Sequence, residues 1–421
     1  MFTPSRDDEQ IIQRVAALDV GKAEVVCCVR LPAPSGRSRL QDVTTHATMT
    51  RSLAVLADRL TGLRVQRVVM EATSDYWRAP FYLLEASGLD VWLVNAKDVR
   101  HLPGRPKTDV LDAVWLCKVA ERQMLRASFV PPGPIRQLRD LTRYRVDLVT
   151  SRNAEKNRVE KLLEDACIKL SVVASDIFGV SGREMMDALA GGQRDPQQLA
   201  QMARTALRRK IPDLKEALTG RFDEHHQFLL SRMLSRIDQI DTDIAAVDEQ
   251  IEAHLAPFAD AADRLIEIPG IKAVQAAAII AEIGVDMTRF PTAGHLASWA
   301  RFTPGVNASA GKQKGNGSTG HGNRYLARAL GDAAASAGRT HSFLGARYQR
   351  LARRRGKKKA LVAIGRSILV IIWHVLRDPD AHYRDLGVDH HDRYVNAAAV
   401  TRGHVRQLEA LGYKVTLQPA A

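Results

Sequence analysis

An acidic residue closes the first apolar run of the chain, Val15 to Asp19, and another closes the fourth, Arg67 to Glu71. Between them Gly21 and Lys22 make a turn. Glu24 to Leu31 reads as a second strand, and Arg39 to Thr48, enriched in Thr and Val, as a third. Runs spaced this closely pair as hairpins. A helix over Ser52 to Leu60 precedes the fourth strand, and a helix over Tyr76 to Ser87 leads to a fifth, Asp90 to Val94. Another helix runs from about Thr108 to Gln123.

Three antiparallel strands followed by helix, strand, helix, strand and helix is the order of an α/β ribonuclease-H-like fold. That order makes the first and fourth strands neighbours at the sheet centre, with Asp19 and Glu71 projecting from their ends. Asp109 and Asp112 open the following helix three residues apart, so both lie on one helical face. That helix can lie across the strand ends, which would bring the four carboxylates to one spot. Four carboxylates repel unless cations sit between them. Mg2+ or Mn2+ suits such a site, because hard cations take oxygen ligands and bridge phosphate oxygens. Two ions can activate a nucleophile and stabilise a leaving oxygen. Any one of these acids alone reads more readily as a helix cap or a surface charge, and it is the four at matching strand and helix ends that point to metal.

Pro131, Pro132, Gly133 and Pro134 end this first region. Ile135 to Leu170 then reads as one long, basic helix, with Arg136, Arg139 and Arg143 on one face and Arg145, Arg152 and Lys156 following. Those cations either contact nucleic acid or form a solvated face balanced by Glu155, Glu160 and Glu164. Residues 171 to 215 are helical but broken by Gly and Pro. A second long helix covers roughly Lys215 to Leu255. Along it Leu230, Met233, Ile237, Ile240, Ile244, Val247 and Ile251 recur in steps of three and four, a coiled-coil seam. The seam could pair with the first long helix, with another subunit, or with both.

The C-terminal part opens on Ile268, Pro269, Gly270 and Ile271 between two apolar helices, the second running to Glu282. Such a helix-hairpin-helix either offers backbone N–H groups to a phosphate or is plain packing. A Gly-, Ser- and Asn-rich loop spans 302 to 323, and helices follow at about 324 to 337 and 358 to 377. Between those helices lies the densest basic run: Arg347, Arg350, Arg353, Arg354, Arg355, Lys357, Lys358 and Lys359.

Lys and Arg number 61 against 47 Asp and Glu, a net charge of +14, which favours a polyanionic partner. None of the four cysteines, Cys27, Cys28, Cys117 and Cys167, has the spacing of a zinc knuckle or redox motif. Cys27 and Cys28 read as core residues on opposite faces of one strand, and a reducing cytoplasm is expected. The N-terminus does not have the pattern of a signal peptide. The apolar stretch Leu361 to Leu376 carries Arg366 and His374, is too short to span a bilayer, and reads as a buried helix, so no membrane partner is expected.

Within the late loop, Ser309 sits three residues before Lys312, with Gly315, Gly317, Gly320 and Gly322 beyond. A serine attacking phosphate needs close backbone approach, which glycines allow, and cations, which Lys312, Lys314, Arg324 and Arg328 supply. On physical grounds Ser318 competes with it, and either can be a simple turn serine.

Taken together, the chain resembles the DEDD transposases of bacterial insertion sequences. These are relatives of the Piv DNA invertases, and some are bridge-RNA-guided recombinases. The resemblance is carried by Leu18-Asp19-Val20-Gly21-Lys22, Val69-Met70-Glu71-Ala72-Thr73 and Lys107-Thr108-Asp109-Val110-Leu111-Asp112-Ala113. Ile268-Pro269-Gly270-Ile271 and the Ser309-Ala310-Gly311-Lys312 loop before Gly322-Asn323-Arg324-Tyr325-Leu326 carry it further, over about residues 12 to 377. The family loop more often reads Ser-Gly, and a basic residue commonly precedes its late Gly-Asn pair where this chain has Gly320 and His321.

The resemblance implies a RuvC-like metal-binding domain (12–130), a helical coiled-coil arm (135–257), a mostly helical C-terminal transposase domain with the serine loop (262–378), and a tail (379–421) without a counterpart. It implies metal-binding roles for Asp19, Glu71, Asp109 and Asp112, and Ser309 as a nucleophile that forms a phosphoserine link to DNA. It also implies dimers or tetramers in which one subunit's metal site serves another's serine. The expected reaction is strand cleavage and exchange between element and target DNA, guided by a structured RNA, in a bacterial cytoplasm at the nucleoid. Arg136, Arg139, Arg143, Arg152, Lys156, Lys312, Arg324, Arg353, Arg354, Arg355, Lys357 and Lys358 are the expected nucleic-acid contacts. Two rivals stand beside it. One is a RuvC-type endonuclease or junction resolvase using water, which forms no covalent adduct. The other is a non-catalytic nucleic-acid-binding coiled-coil protein, indifferent to changes at Asp19 or Glu71.

Overall fold

A computed structural model describes residues 11–34, 38–72, 74–96, 108–305, 307–309, 312–314, 319–391 and 397–418, with 109, 307–309, 312–314 and 397–400 described by backbone alone. The chain divides into two compact units, the first ending at Val130 and the second beginning at Pro131.

The first unit is a mixed sheet with helices. Its strands are β1 (Val15–Val20), β2 (Glu24–Pro32), β3 (Arg39–Ala47), β4 (Arg67–Glu71) and β5 (Val91–Val94), in the spatial order β3-β2-β1-β4-β5. The first three are antiparallel neighbours, while β4 joins β1, and β5 joins β4, in parallel. The parallel steps need crossovers, supplied by α1 (Thr50–Gly62) and α2 (Arg78–Ala86). Strand alternation divides the apolar residues between two cores. Ala16, Leu18, Val20, Val68 and Met70 face α1 and α2, whereas Val15, Ala17, Val69 and Val94 face α3 (Asp109–Glu121). Cys27 belongs to the first core and Cys28 to the second, the opposite-face placement expected from the sequence. Burial pushes the Cys27 thiol up to about 12, so it stays protonated as a small core side chain.

The second unit is mostly helical. Helix α4 (Gly133–Asp165) and helix α9 (Glu224–Leu255) pack side by side and run antiparallel, since Arg145 pairs with Asp248 and Arg152 with Asp241. The apolar seam of α9 therefore finds its partner in α4. Leu148 packs with Ile240 and Ile244 halfway along, and Val159 and Leu162 pack with Leu230, Leu234 and Ile237 farther out. Helix α9 begins later than the sequence reading, which starts it at Lys215, because Asp223 caps it. The Asp223 carboxylate accepts from the His226 backbone N–H at 3.1 Å.

Four short helices fill the far end of the pair: α5 (Leu170–Val173), α6 (Val180–Ala190), α7 (Pro196–Gln201) and α8 (Ile211–Ala217). At the near end, α10 (Ala259–Ile266), α11 (Ala273–Ile283), α12 (Ala293–Trp299), α13 (Arg324–Ala337), α14 (Phe343–Arg355) and α15 (Lys357–Arg377) share one core with Ile135, Leu138 and Ile251. Helix α15 runs past both ends of the apolar stretch, so at 21 residues it is long and apolar enough by composition to cross a membrane, a correction to the expected shortness. Ile364, Ile368, Leu369 and Ile372 are nevertheless buried in that core, as a buried helix requires. The basic run lies on α14 and the first turn of α15 rather than between helices, with Gly356 turning the chain at φ 83°. A last helix, α16 (Ala397–Ala410), follows.

Candidate active site and nucleic-acid surface

Leu18 pairs with Met70 in the parallel register of β1 and β4. Asp19 and Glu71 are each the next residue, so they stand level on neighbouring strands. They follow the alternation of Ala17 and Val69, which puts both on the face that carries α3. Glu71 is only 8% exposed, and Asp19 is partly buried.

The direction of α3 decides which of its ends meets them. The Ile12 backbone N–H donates to the Glu121 carbonyl at 3.0 Å, and the Cys117 thiol donates to the carbonyls of Cys28 at 3.5 Å and Val15 at 3.6 Å. The helix C-terminus therefore lies beside the start of β1, and its N-terminus points toward the end that carries Asp19. Arg30 and Arg39 hold Glu121 at the far end, at 2.6 and 3.2 Å. At the near end Thr108 caps the helix, its hydroxyl accepting from the Leu111 N–H at 3.4 Å. Asp112 is one turn before Leu116, an inward residue, and is partly buried. Among the described residues, no three His, Cys, Asp or Glu side chains converge closely enough to hold a metal ion. The Asp109 side chain lies outside the described residues.

In the second unit the late loop contains a small hairpin, β6 (Asn307–Ser309) and β7 (Lys312–Lys314), where the sequence reading has only loop. Ser309 is the last residue of β6, and Lys312 is its cross-strand partner. The side chains of both lie outside the described residues, as does Ser318. Pro304 bridges to Thr319 at the base. Gly322 packs so closely that a Cβ there would lie 2.6 Å from the Ala300 carbonyl oxygen.

Similarity to known proteins bears on both units. A family model of the IS110 DEDD group, described as Transposase, matches residues 16–168, and one described as Transposase IS116/IS110/IS902 family matches residues 262–349. The chain is a transposase of the IS110/IS116 family. Among its relatives, an insertion element IS110 uncharacterized 43.6 kDa protein of Streptomyces coelicolor is 28% identical over 74% of this chain and 82% of its own. A probable family 20 transposase of Pseudomonas aeruginosa is 25% identical over 62% of this chain and 67% of its own. An insertion element IS900 uncharacterized 42 kDa protein of Mycobacterium paratuberculosis is 27% identical over 70% and 79%.

The transposase divides its expected nucleic-acid contacts into two sets. Arg353, Arg354, Arg355, Lys357 and Lys358 are exposed at the junction of α14 and α15. Behind them Arg347 is held below its usual pKa by burial and by Arg350 and Arg366, a local excess of positive charge. Arg324 is largely exposed at the start of α13, where it stacks on Tyr325 at 4.6 Å.

The long-helix cations face protein partners instead. Arg139 donates to the Ala281 and Glu282 carbonyls at 2.9 and 2.8 Å, closing the C-terminus of α11. Arg143 grips the Glu282 carboxylate, Arg152 pairs with Asp241, and Lys156 lies over Phe178 at 4.7 Å. Arg136 sits in the first turn of the same helix as a partly buried side chain. Arg139 and Arg143, expected from the sequence either as nucleic-acid contacts or as part of a charge-balanced face, both lie against the Glu282 carboxylate, which is 1% exposed.

The Pro269-Gly270 hairpin is packed as well. Gly270, at φ 94°, lies so close to α13 that a Cβ would come 2.1 Å from the Ala333 carbonyl oxygen. Glu282 and Asn323 carry no role in the sequence reading. The signal for Glu282 is an acid at the end of the Ala- and Ile-rich run from Ala273, where a charge is costly unless paired.

Proposed function

We propose that this transposase cleaves and exchanges DNA strands for a mobile element, with divalent metal at Asp19, Glu71, Asp109 and Asp112 and with Ser309 as the nucleophile. The observation that carries the reading is the level placement of Asp19 and Glu71 on adjacent parallel strands, with the N-terminus of α3 directed toward them. The donor set fits: four carboxylates without a thiolate or imidazole, which matches hard Mg2+ or Mn2+. When bound, two such ions would supply charge stabilisation for the attacking and leaving oxygens.

The chain's own residues account for the covalent steps. The Ser309 oxygen bonds to phosphorus as the bond from phosphorus to a sugar oxygen breaks, and the hydroxyl proton passes to that leaving oxygen. The product is a phosphoserine joint. A hydroxyl of the target strand then attacks the same phosphorus, the bond to Ser309 breaks, and the serine regains its proton. One phosphodiester replaces another at each turn, so no nucleotide hydrolysis is needed. Lys312, opposite Ser309 in the hairpin, and Arg324 would offset the phosphate charge. Arg353, Arg354, Arg355, Lys357 and Lys358 would hold element DNA, target DNA or a guide RNA through phosphates, leaving sequence choice to base pairing. In a dimer or tetramer, the metal site of one subunit would serve the serine of another.

A trapping experiment tests this. The protein is incubated with donor DNA, target DNA, copurified RNA and Mg2+, then denatured. A protein–DNA adduct lost in Ser309→Ala and kept in Ser318→Ala is the expected result. Cleaved DNA with no adduct at any time overturns the serine step in favour of water.

A further inference from the structure

We infer that Glu282 sets the position of the serine loop by acting through Asn323, an inference that rests on the reading of Ser309 above. Glu282 is the second-last residue of α11 and 1% exposed. Arg143 donates to its two carboxylate oxygens at 2.7 and 2.8 Å, and the Asn323 side-chain amide donates to one of them at 2.5 Å. The other end of the Asn323 side chain is also engaged. Its carbonyl oxygen accepts from the backbone N–H groups of Tyr325 at 3.0 Å and Leu326 at 3.2 Å, capping α13. One short side chain thus joins a buried carboxylate to the first turn of the helix on which the serine loop ends.

The carboxylate is itself held in direction. Its fork on Arg143 fixes the plane of the group, and Arg139 lies 3.4 Å from the oxygen that Asn323 uses. A carboxylate accepts from three donors together, which an amide or hydroxyl at this place could not do with equal strength. The bridge from Pro304 to Thr319 and the close packing of Gly322 on Ala300 seat the loop base through backbone alone. The Arg143–Glu282–Asn323 relay adds a charge-assisted tether that starts in the root of α4. Glu282 is a positioning residue: it touches neither phosphate nor metal, and acts by fixing where the loop that carries Ser309 joins α13.

Two variants separate this role from simple helix capping. Asn323→Ser keeps an oxygen that caps α13 but is too short to reach Glu282. Glu282→Gln keeps the shape and removes the charge. In each, hydrogen exchange of amides in residues 303–322 should quicken about tenfold, the loss of one charge-assisted hydrogen bond, while exchange elsewhere in the second unit holds. The single-turnover rate of adduct formation should fall by a similar factor with DNA affinity unchanged. Exchange in 303–322 equal to wild type in both variants overturns the inference. So does faster exchange spread over the whole unit, which marks a purely structural residue, or DNA affinity falling in step with the adduct rate. If wild type itself forms no Ser309 adduct, the nucleophile assignment fails, and the exchange measurement still decides whether Glu282 holds the loop.

Discussion

Arg143 binds Glu282 through two parallel hydrogen bonds, joining the root of the long helix α4 to the end of α11. Burial works against the guanidinium charge, but the paired bonds outweigh it and hold the Arg143 pKa above its ordinary value. Replacing Arg143 by Met leaves a buried carboxylate with Arg139 as its remaining guanidinium. The expected cost is about 3 kcal/mol, near the low end for breaking a buried pair. Chemical denaturation checks it. A loss below about 0.5 kcal/mol would show that the pair behaves like one on an open surface.

The level placement of Asp19 and Glu71 predicts opposite effects on stability and activity. Asp19→Asn should raise the melting temperature by about 2 °C in chelator, because like charges on adjacent strands repel. That gain should shrink in Mg2+, and strand cleavage should fall by at least about a hundredfold. A scan with and without Mg2+, beside a cleavage assay, reads all three. An unchanged cleavage rate would remove Asp19 from the chemistry.

The two sets of cations should differ in salt dependence. Neutralising any one of Arg353, Arg354, Lys357 and Lys358 that neutralises a phosphate should lower the slope of log affinity against log salt by about 0.9 on duplex DNA. Arg139→Gln should leave that slope alone and lower stability instead, since its donors serve the end of α11. Titrations at several salt concentrations separate the two. Equal slope changes from both sets would mean that Arg139 leaves α11 when DNA binds.

His226 should give the second unit a pH dependence. Burial lowers its pKa, but the hydrogen bonds with Asp223 at 2.6 Å and Asp165 at 3.1 Å outweigh burial and leave it raised above the usual 6.5. Stability from the protonated ring is therefore complete below the usual value and is lost as pH rises through the raised one. The stability difference between wild type and His226→Gln should be larger at pH 5.5 than at pH 8.5. A constant difference over that range would show that the ring's contribution is independent of its charge.

Strand order and strand-ending acids are legible because period-two burial and closely spaced runs leave few alternatives for residues 15 to 94. The ends of helices are less so: α9 starts at Glu224 because Asp223 caps it, a local competition that the long apolar repeat hides. Helix α14 reads as a basic connection because five of its thirteen residues are Arg, while Leu344, set against the core, is its large buried side chain. The direction of Arg139 and Arg143 does not follow from spacing at all. A row of arginines on one helical face looks the same whether phosphate or Glu282 lies opposite.

The far end of the two long helices has a property that follows from its closure. The Arg221 backbone N–H donates to the Ala166 carbonyl at 2.7 Å, and the Lys169 backbone N–H donates to the Ala217 carbonyl at 2.7 Å, so residues 167–220 leave and return at the same point. A segment with its ends in register acts as a cassette. Closing the segment costs only a term that grows logarithmically with its length, but Leu170, Met185, Leu189, Leu199 and Leu214 share a core with Leu162, Leu230 and Leu234, so any replacement must cover that apolar end of α4 and α9. A different head therefore fits the same stalk where it brings an apolar face to that end of the helices.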